Sequence, residues 1–432
     1  MAEPKAHQVE PPALLLGQST EVTIRGDRLR EGGKPARVWS SPPAKWELVE
    51  HKDEKKKPDP RVLRFRVTPA PDAKPGVLSL RLYTDKGVSP PYLMLADTSP
   101  GTVGFRFHGD KPFTHAFAAK AGKTYACEVW ANRINRDVDP VMTVHSPQGR
   151  QLAMADDSDL HGADPSLLFT APADGNYTIR VHDLRWRGGP QACLRVAERP
   201  LLSPKLPEGH AKTAAEPEPI PVQVKAGSFL TVTPLTRAIG STASLKLELK
   251  DEKGRRLAHS GDGDLADEPL RRRIDRNATC RIFARDLLGR AGLPFALEIS
   301  EDVAPFLVRQ ETPDRHKPAP GGTELKFKFR VTRFGYDGPI KLLCPDLKLE
   351  KDLIPEKKND AEIVAKAPDH PSPGSLLAFR FRAEATHGGK TYSCPVSTTP
   401  LLDKTPAHLP RWPEELDGWN YLVVTAKPPE KK

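Results

Sequence analysis

The residues most capable of chemistry lie in one short acidic loop, Asp156-Asp157-Ser158-Asp159, with Asp164 close behind. Carboxylates two positions apart can face a common centre when the backbone turns, and a hard cation such as Ca²⁺ takes several oxygen ligands from such a loop. A similar spacing returns downstream as Asp262-Gly263-Asp264. Asp156, Asp157, Asp159 and Asp164 are therefore a candidate calcium site. The competing reading is a plain Asx-turn, in which aspartates bond their own local backbone without metal. The EF-hand spacing is absent. A second candidate surface comes from Trp130, which falls on the outward parity of its strand, and from Arg185-Trp186-Arg187 in a loop. Tryptophan beside arginine suits sugar stacking or cation-π contact; the alternative is a packed satellite cluster under the loops.

No catalytic constellation accompanies these residues. The 13 histidines form neither HxH nor HExxH, and there is no GxSxG elbow or phosphate-binding glycine loop. His182 and Asp183 are neighbours on a strand and so point to opposite faces, which argues against a dyad. The formal charge is +10 with a pI near 9.2, yet 66 basic and 56 acidic residues are interspersed along most of the chain. Lys55-Lys56-Lys57 and Arg271-Arg272-Arg273 are short basic exceptions without interleaved aromatics. They leave room for non-specific phosphate contact but show no specific nucleic-acid fold.

The elements that must position these residues are strands. There are 46 prolines and 31 glycines in 432 residues; proline removes a backbone donor and clashes with the preceding helical turn. Glu21 to Gly26, Leu63 to Val67, Leu78 to Tyr83 and Leu325 to Val331 alternate apolar and polar residues, as half-buried strands do. Lys123 to Trp130 places Tyr125, Cys127 and Val129 on one face. Tyr177 opens a strand after Gly175, as a core aromatic or as a hydroxyl satisfying a backbone group. The chain divides into segments 9–97, 101–199, a proline-rich linker 200–217, 218–300, 301–400 and a proline- and lysine-rich tail 401–432. Trp412, Trp419, Tyr421 and Leu422 give the tail a means to dock on the last sandwich.

Three resemblances follow. Segment 101–199 carries Tyr125 to Ala131, Asp139-Pro140-Val141, Gly149 with Leu152-Ala153, Asp156-Asp157-Ser158, Asp164-Pro165, Pro172 with Asp174-Gly175 and Tyr177, Val181 with Asp183, and Gly188-Gly189. In that order they resemble the bacterial pre-peptidase C-terminal (PPC) domain, in the form found in planctomycete envelope proteins. Segment 218–300 keeps Lys225-Ala226-Gly227, Gly254 to Ala258, Arg285-Asp286-Leu287 and Gly289. Cys280 replaces Tyr177 there, and Ile274 to Asn277 replaces the Pro-x-Asp-Gly turn, so it looks like a degenerate second copy. Segment 9–97 resembles IPT/TIG domains, and Arg333 to Ile340 is similar to the immunoglobulin-like segment that follows PPC modules. The expected fold is all-β: tandem β-sandwich domains, jelly-roll and immunoglobulin-like, in an elongated multidomain chain.

The resemblance implies export to the periplasm, cell envelope or extracellular space. Met1 to Lys5 opens no signal-peptide apolar region, so either the chain is cytoplasmic or a leader is missing. No stretch approaches a membrane span. Five cysteines cannot all pair internally; mostly reduced thiols are expected, with Cys344 and Cys394 the one pair to test. The function expected is non-catalytic, a structural or interaction module binding an envelope protein or polysaccharide. The alternatives are an accessory or remnant part of a secreted hydrolase system, and a basic polyanion-binding protein.

Overall fold

The computed structural model describes residues 3–49, 58–158, 161–198, 211–236, 239, 241–260, 268–402, 407–409 and 412–427. It is all-β, with four sandwiches in tandem and, among the described residues, only short helical turns such as Asn132–Ile134 and Thr399–Leu402. Alternation is the cause: Glu324–Arg333 has burial that switches at nearly every residue, placing Leu325, Phe327, Phe329 and Val331 in the core. No helix among the described residues is long and apolar enough to cross a membrane.

The first sandwich packs a sheet ordered Lys5–Glu10, Thr20–Asp27, Val62–Pro69, Ala44–Leu48 against one built around Gly76–Thr84 and Tyr92–Asp97. Val22, Ile24, Phe65, Leu80 and Met94 meet between them. In the second, Thr102–Arg106, Gln191–Ala197, Thr124–Trp130 and Ser166–Thr170 form one sheet. Phe113–Ala119, Gly175–Asp183, Pro140–His145 and Gln151–Ala155 form the other. The third sandwich repeats that order strand for strand: Ala211–Lys212, Pro294–Ser300, Phe229–Leu235, Leu270–Arg273 face Ile220–Val224, Ala278–Asp286, Leu245–Lys250, Arg256–His259. The two sandwiches are structural repeats.

The fourth sandwich sets a long sheet centred on Glu324–Arg333 and Phe306–Gln310 against a three-stranded one. In the latter, Trp419–Thr425 lies between Ala319–Pro320 and Leu376–Arg380. A strand from beyond residue 400 therefore completes this sandwich, with Leu422 in its core.

Contacts between the sandwiches are extensive. Asp97, at the end of the first, bonds Arg195 of the second at 2.9 Å. Arg195 continues to Glu128 at 2.9 Å, and Arg133 joins Glu128 to Asp164. This buried network rivets the first two sandwiches. Beside it Ala13, Leu93 and Leu95 pack on Trp130, Ile134 and Cys193, capped by Leu402, Trp412 and Leu416. The chain also doubles back. Arg81 of the first sandwich, buried over the Tyr421 ring, pairs with Asp314 of the fourth at 3.1 Å. Trp39 packs edge-on against both Trp419 and Tyr421. A string of spaced sandwiches did not anticipate this return.

All five cysteines are free thiols, Cys344 and Cys394 included. Parity holds for Cys127 and Cys193: Cys127 faces the second sandwich's core, whereas Cys193 faces the first sandwich. Burial pushes Cys127, Cys193 and Cys344 up to about 12 and Cys394 to about 11, so the thiolate, the reactive form, is suppressed.

Candidate functional site

The acidic loop and the Arg185-Trp186-Arg187 loop meet at one corner of the second sandwich, and Asp183 organises it. This aspartate ends the strand Gly175–Asp183 with its side chain fully buried. Its Oδ1 accepts the Asp139 N–H at 2.9 Å; its Oδ2 accepts the N–H groups of Arg185 and Arg187 at 3.1 and 2.9 Å. The Arg187 guanidinium closes the clamp with Nη2 on Oδ1 at 3.1 Å and Nε on Oδ2 at 3.2 Å. Burial alone would raise the Asp183 pKa, but these donors overcome it and bring it down to about 2. The turn 184–187 is thereby fixed in one shape.

That shape is demanding. Trp186 sits at φ 53°, in the left-handed region, with its N–H on the Asp183 carbonyl at 2.8 Å. A bulky residue there is strained. Its ring is 45% exposed and stacks on His182, centroids 4.4 Å apart and planes 20° apart. Burial lowers the His182 pKa against the opposing charges of Asp183 and Asp156, so the ring in the stack favours its neutral form. Arg185 is exposed beside Trp186.

The acidic part differs from the sequence expectation. Ligand oxygens of Asp139, Asp156 and Asp157 lie within 4.8 Å of one another. In the sequence Asp139 stands in the Asp139-Pro140-Val141 motif and not among the candidate ligands; the structure fixes it beside Asp183. Its pKa is raised by burial and by the charges of Asp157, Asp156 and Asp183. Oδ1 of Asp156 is buried with no hydrogen-bond partner among the described residues. A cation of the Ca²⁺ type would supply the missing partner and relieve the repulsion. Asp164 does not belong to this group. It is fully buried, accepting the N–H groups of Ala131, Asn132 and Arg133 at 2.7–3.0 Å and the Arg133 Nε at 3.0 Å. Its carboxylate is saturated by donors, so no lone pair is left for a metal. Asp159 lies outside the described residues, as do Asp262 and Asp264.

Trp130 also requires correction. Its parity is outward, as expected, but outward means toward the first sandwich. It is 2% exposed, with Arg133 stacked 3.6 Å from its ring centroid, and it offers no ligand surface. Arg187 is committed to Asp183. Of the candidate surface, Trp186 and Arg185 remain accessible.

The third sandwich repeats the clamp. Oδ1 of Asp286 accepts the Ser244 N–H, Oδ2 accepts those of Leu288 and Arg290, and the Arg290 guanidinium bonds both oxygens. Those bonds hold its carboxyl well below the usual range. Leu184 N–H reaches Asp139 O, as Leu287 N–H reaches Ser244 O, each at 2.7 Å. The bonds align Asp139 with Ser244 and Trp186 with Gly289, whose φ is 71°.

No family model matches the chain, and no curated protein matches it. Among solved structures, it is similar to a biofilm associated protein BSP domain at 6% identity, covering 91% of this chain and 96% of that one, TM-score 0.17. An ICAM-5 D1-D4 ectodomain fragment matches at 13% identity, covering 90% and 98%, TM-score 0.14. A tetra-tandem repeat from the extending region of a large adhesion protein matches at 11%, covering 92% and 100%, TM-score 0.14. Matches at these scores carry no argument about activity or partners.

Proposed function

We propose that the chain is a non-catalytic modular interaction protein of the cell envelope or extracellular space, with PPC-like repeats and with the Trp186 corner as a polysaccharide contact. One observation carries the reading. An exposed tryptophan occupies a left-handed position where the sister repeat has glycine. Left-handed backbone costs a non-glycine residue about 1–2 kcal/mol, and strain of this kind is kept where a local shape is used. A rigid, half-exposed indole beside Arg185 stacks on the apolar face of a sugar ring, and the clamp removes the entropy of ordering it. Asp139, Asp156 and Asp157 hold Ca²⁺ next to it, bracing the loop that flanks His182.

Co-sedimentation of the full chain with insoluble cell-wall polysaccharide tests the contact. The wild type is expected in the pellet and Trp186→Gly in the supernatant, both with the same circular dichroism spectrum. Equal pelleting of the two proteins would remove the corner from the account; retention by envelope protein alone would replace the polysaccharide reading.

A further inference from the structure

The third and fourth sandwiches border an open basic cleft remote in sequence from the Trp186 corner. Leu270–Arg273 is the outermost strand of its sheet. Its ladder pairs Arg271 with Thr231 on one side only. Across from it the fourth sandwich presents Leu307, Arg309, Thr332 and Phe334. The cleft between them has a volume of about 660 Å³, within the usual range for a small-ligand site.

Its walls are fixed by close packing. Phe229 of the third sandwich inserts into the fourth sandwich's core against Tyr336 and Tyr392. Gly335, at φ 85°, lies so near Arg273 that a Cβ there would stand 2.7 Å from the arginine Cβ. The two sandwiches therefore meet through backbone-level contact, and the cleft is built into the joint.

Arg271 is the unusual group. It is more than half-buried, its guanidinium is stacked 4.7 Å from the Phe334 centroid, and its Nε is buried with no hydrogen-bond partner among the described residues. No carboxylate pairs with it among the described residues, and burial lowers its pKa. Arg272 and Arg309 line the same cleft with one acid among the described residues, Glu268. Arg272 reaches an aspartate only at the exposed surface, Asp275 at 3.5 Å. A guanidinium withdrawn from water without a counter-charge is costly unless an anion completes it. Its planar fork matches an oxyanion with two oxygens.

We propose that this cleft binds an oxyanion of an acidic oligosaccharide, a carboxylate or sulfate group seated on Arg271 between Arg272 and Arg309. Arg271, Arg272 and Arg309 converge on one cleft, an arrangement that suits a single oxyanion. Arg271 covers one face of Phe334, which closes that face to a stacking base. This site is independent of the Trp186 corner, and either can fail without the other.

Isothermal titration of the full chain with an oligogalacturonate, a sulfated heparin oligosaccharide and a neutral maltooligosaccharide tests it. The expected result is saturable binding of one or both acidic sugars, clearly tighter than any binding of the neutral one, the better acidic sugar distinguishing carboxylate from sulfate. Arg271→Gln and Arg309→Gln should each weaken binding by about tenfold or more, the loss expected for a charged hydrogen bond. Arg309 is exposed, so its replacement tests the site even where Arg271→Gln disturbs the joint. Arg150→Gln, an exposed change in the second sandwich, should bind as wild type does. Absence of binding, equal weakening by Arg150→Gln, or tighter binding of duplex DNA than of either sugar would each overturn the proposal.

Discussion

The second and third sandwiches share a frame and differ in what the frame displays. Both end a central strand in a buried aspartate that clamps an arginine four residues on, Asp183 with Arg187 and Asp286 with Arg290. Both pin the preceding turn from an Asx side chain, Asp174 on the Ala121 N–H and Asn277 on the Ala226 N–H. These bonds serve the fold, because they survive where most surface features changed. Tyr177, buried with its hydroxyl on the Ala173 carbonyl, gives way to the smaller Cys280. Asp139 gives way to Ser244, and Trp186 to Gly289. The clamp is thus a holder for the turn, and the residues it holds carry the individuality of each repeat.

This division between frame and display can be broken at several points. The largest loss is expected from Asp164→Ala, which strands Arg133 and three backbone donors in the network joining the first two sandwiches; about 3–5 kcal/mol should disappear from chemical denaturation. Asp183→Ala and Asp286→Ala come next at about 2–4 kcal/mol each, reduced because both arginines are partly exposed. Similar losses in both are required if the clamps are equivalent. Acid should undo them as well. The Asp183 pKa lies at about 2 when folded against an ordinary 3.8, so the unfolded chain takes up the proton first. The contribution is present above pH 4 and fades as pH falls toward 2; a melting temperature flat across that window would refute the clamp energetics. Smaller still is the calcium effect. Millimolar Ca²⁺ should raise the melting temperature of the wild type and not of Asp139→Ser, which copies Ser244. An unchanged wild type would dispose of the metal.

The strands and the duplication were legible because period-two alternation and turn residues are local, and because matching motifs recur in order. Partners across domain boundaries were not. The outward parity of Trp130 is correct, yet parity tells only which side of a sheet a residue takes, and here a neighbouring sandwich covers that side. Asp164 looked like its acidic neighbours since a sequence shows carboxylates but not the three N–H groups converging on one of them. Asp139 was hidden by distance along the chain from Asp156 and Asp157. Trp186 stood out between two arginines, and its left-handed position is legible too, since aligning Asp183-Leu184 with Asp286-Leu287 sets it opposite Gly289. The return of Trp419–Thr425 to the fourth sandwich was foreshadowed only by aromatics in a proline-rich tail.

The central claim, that Trp186 is kept at a strained position for contact and not for folding, is tested most directly by Trp186→Gly. Glycine relieves the left-handed backbone, offsetting the lost stack on His182, so stability should be unchanged or higher by up to about 1 kcal/mol while cell-wall polysaccharide is no longer retained. A less stable variant that still pellets with the polysaccharide would contradict the account.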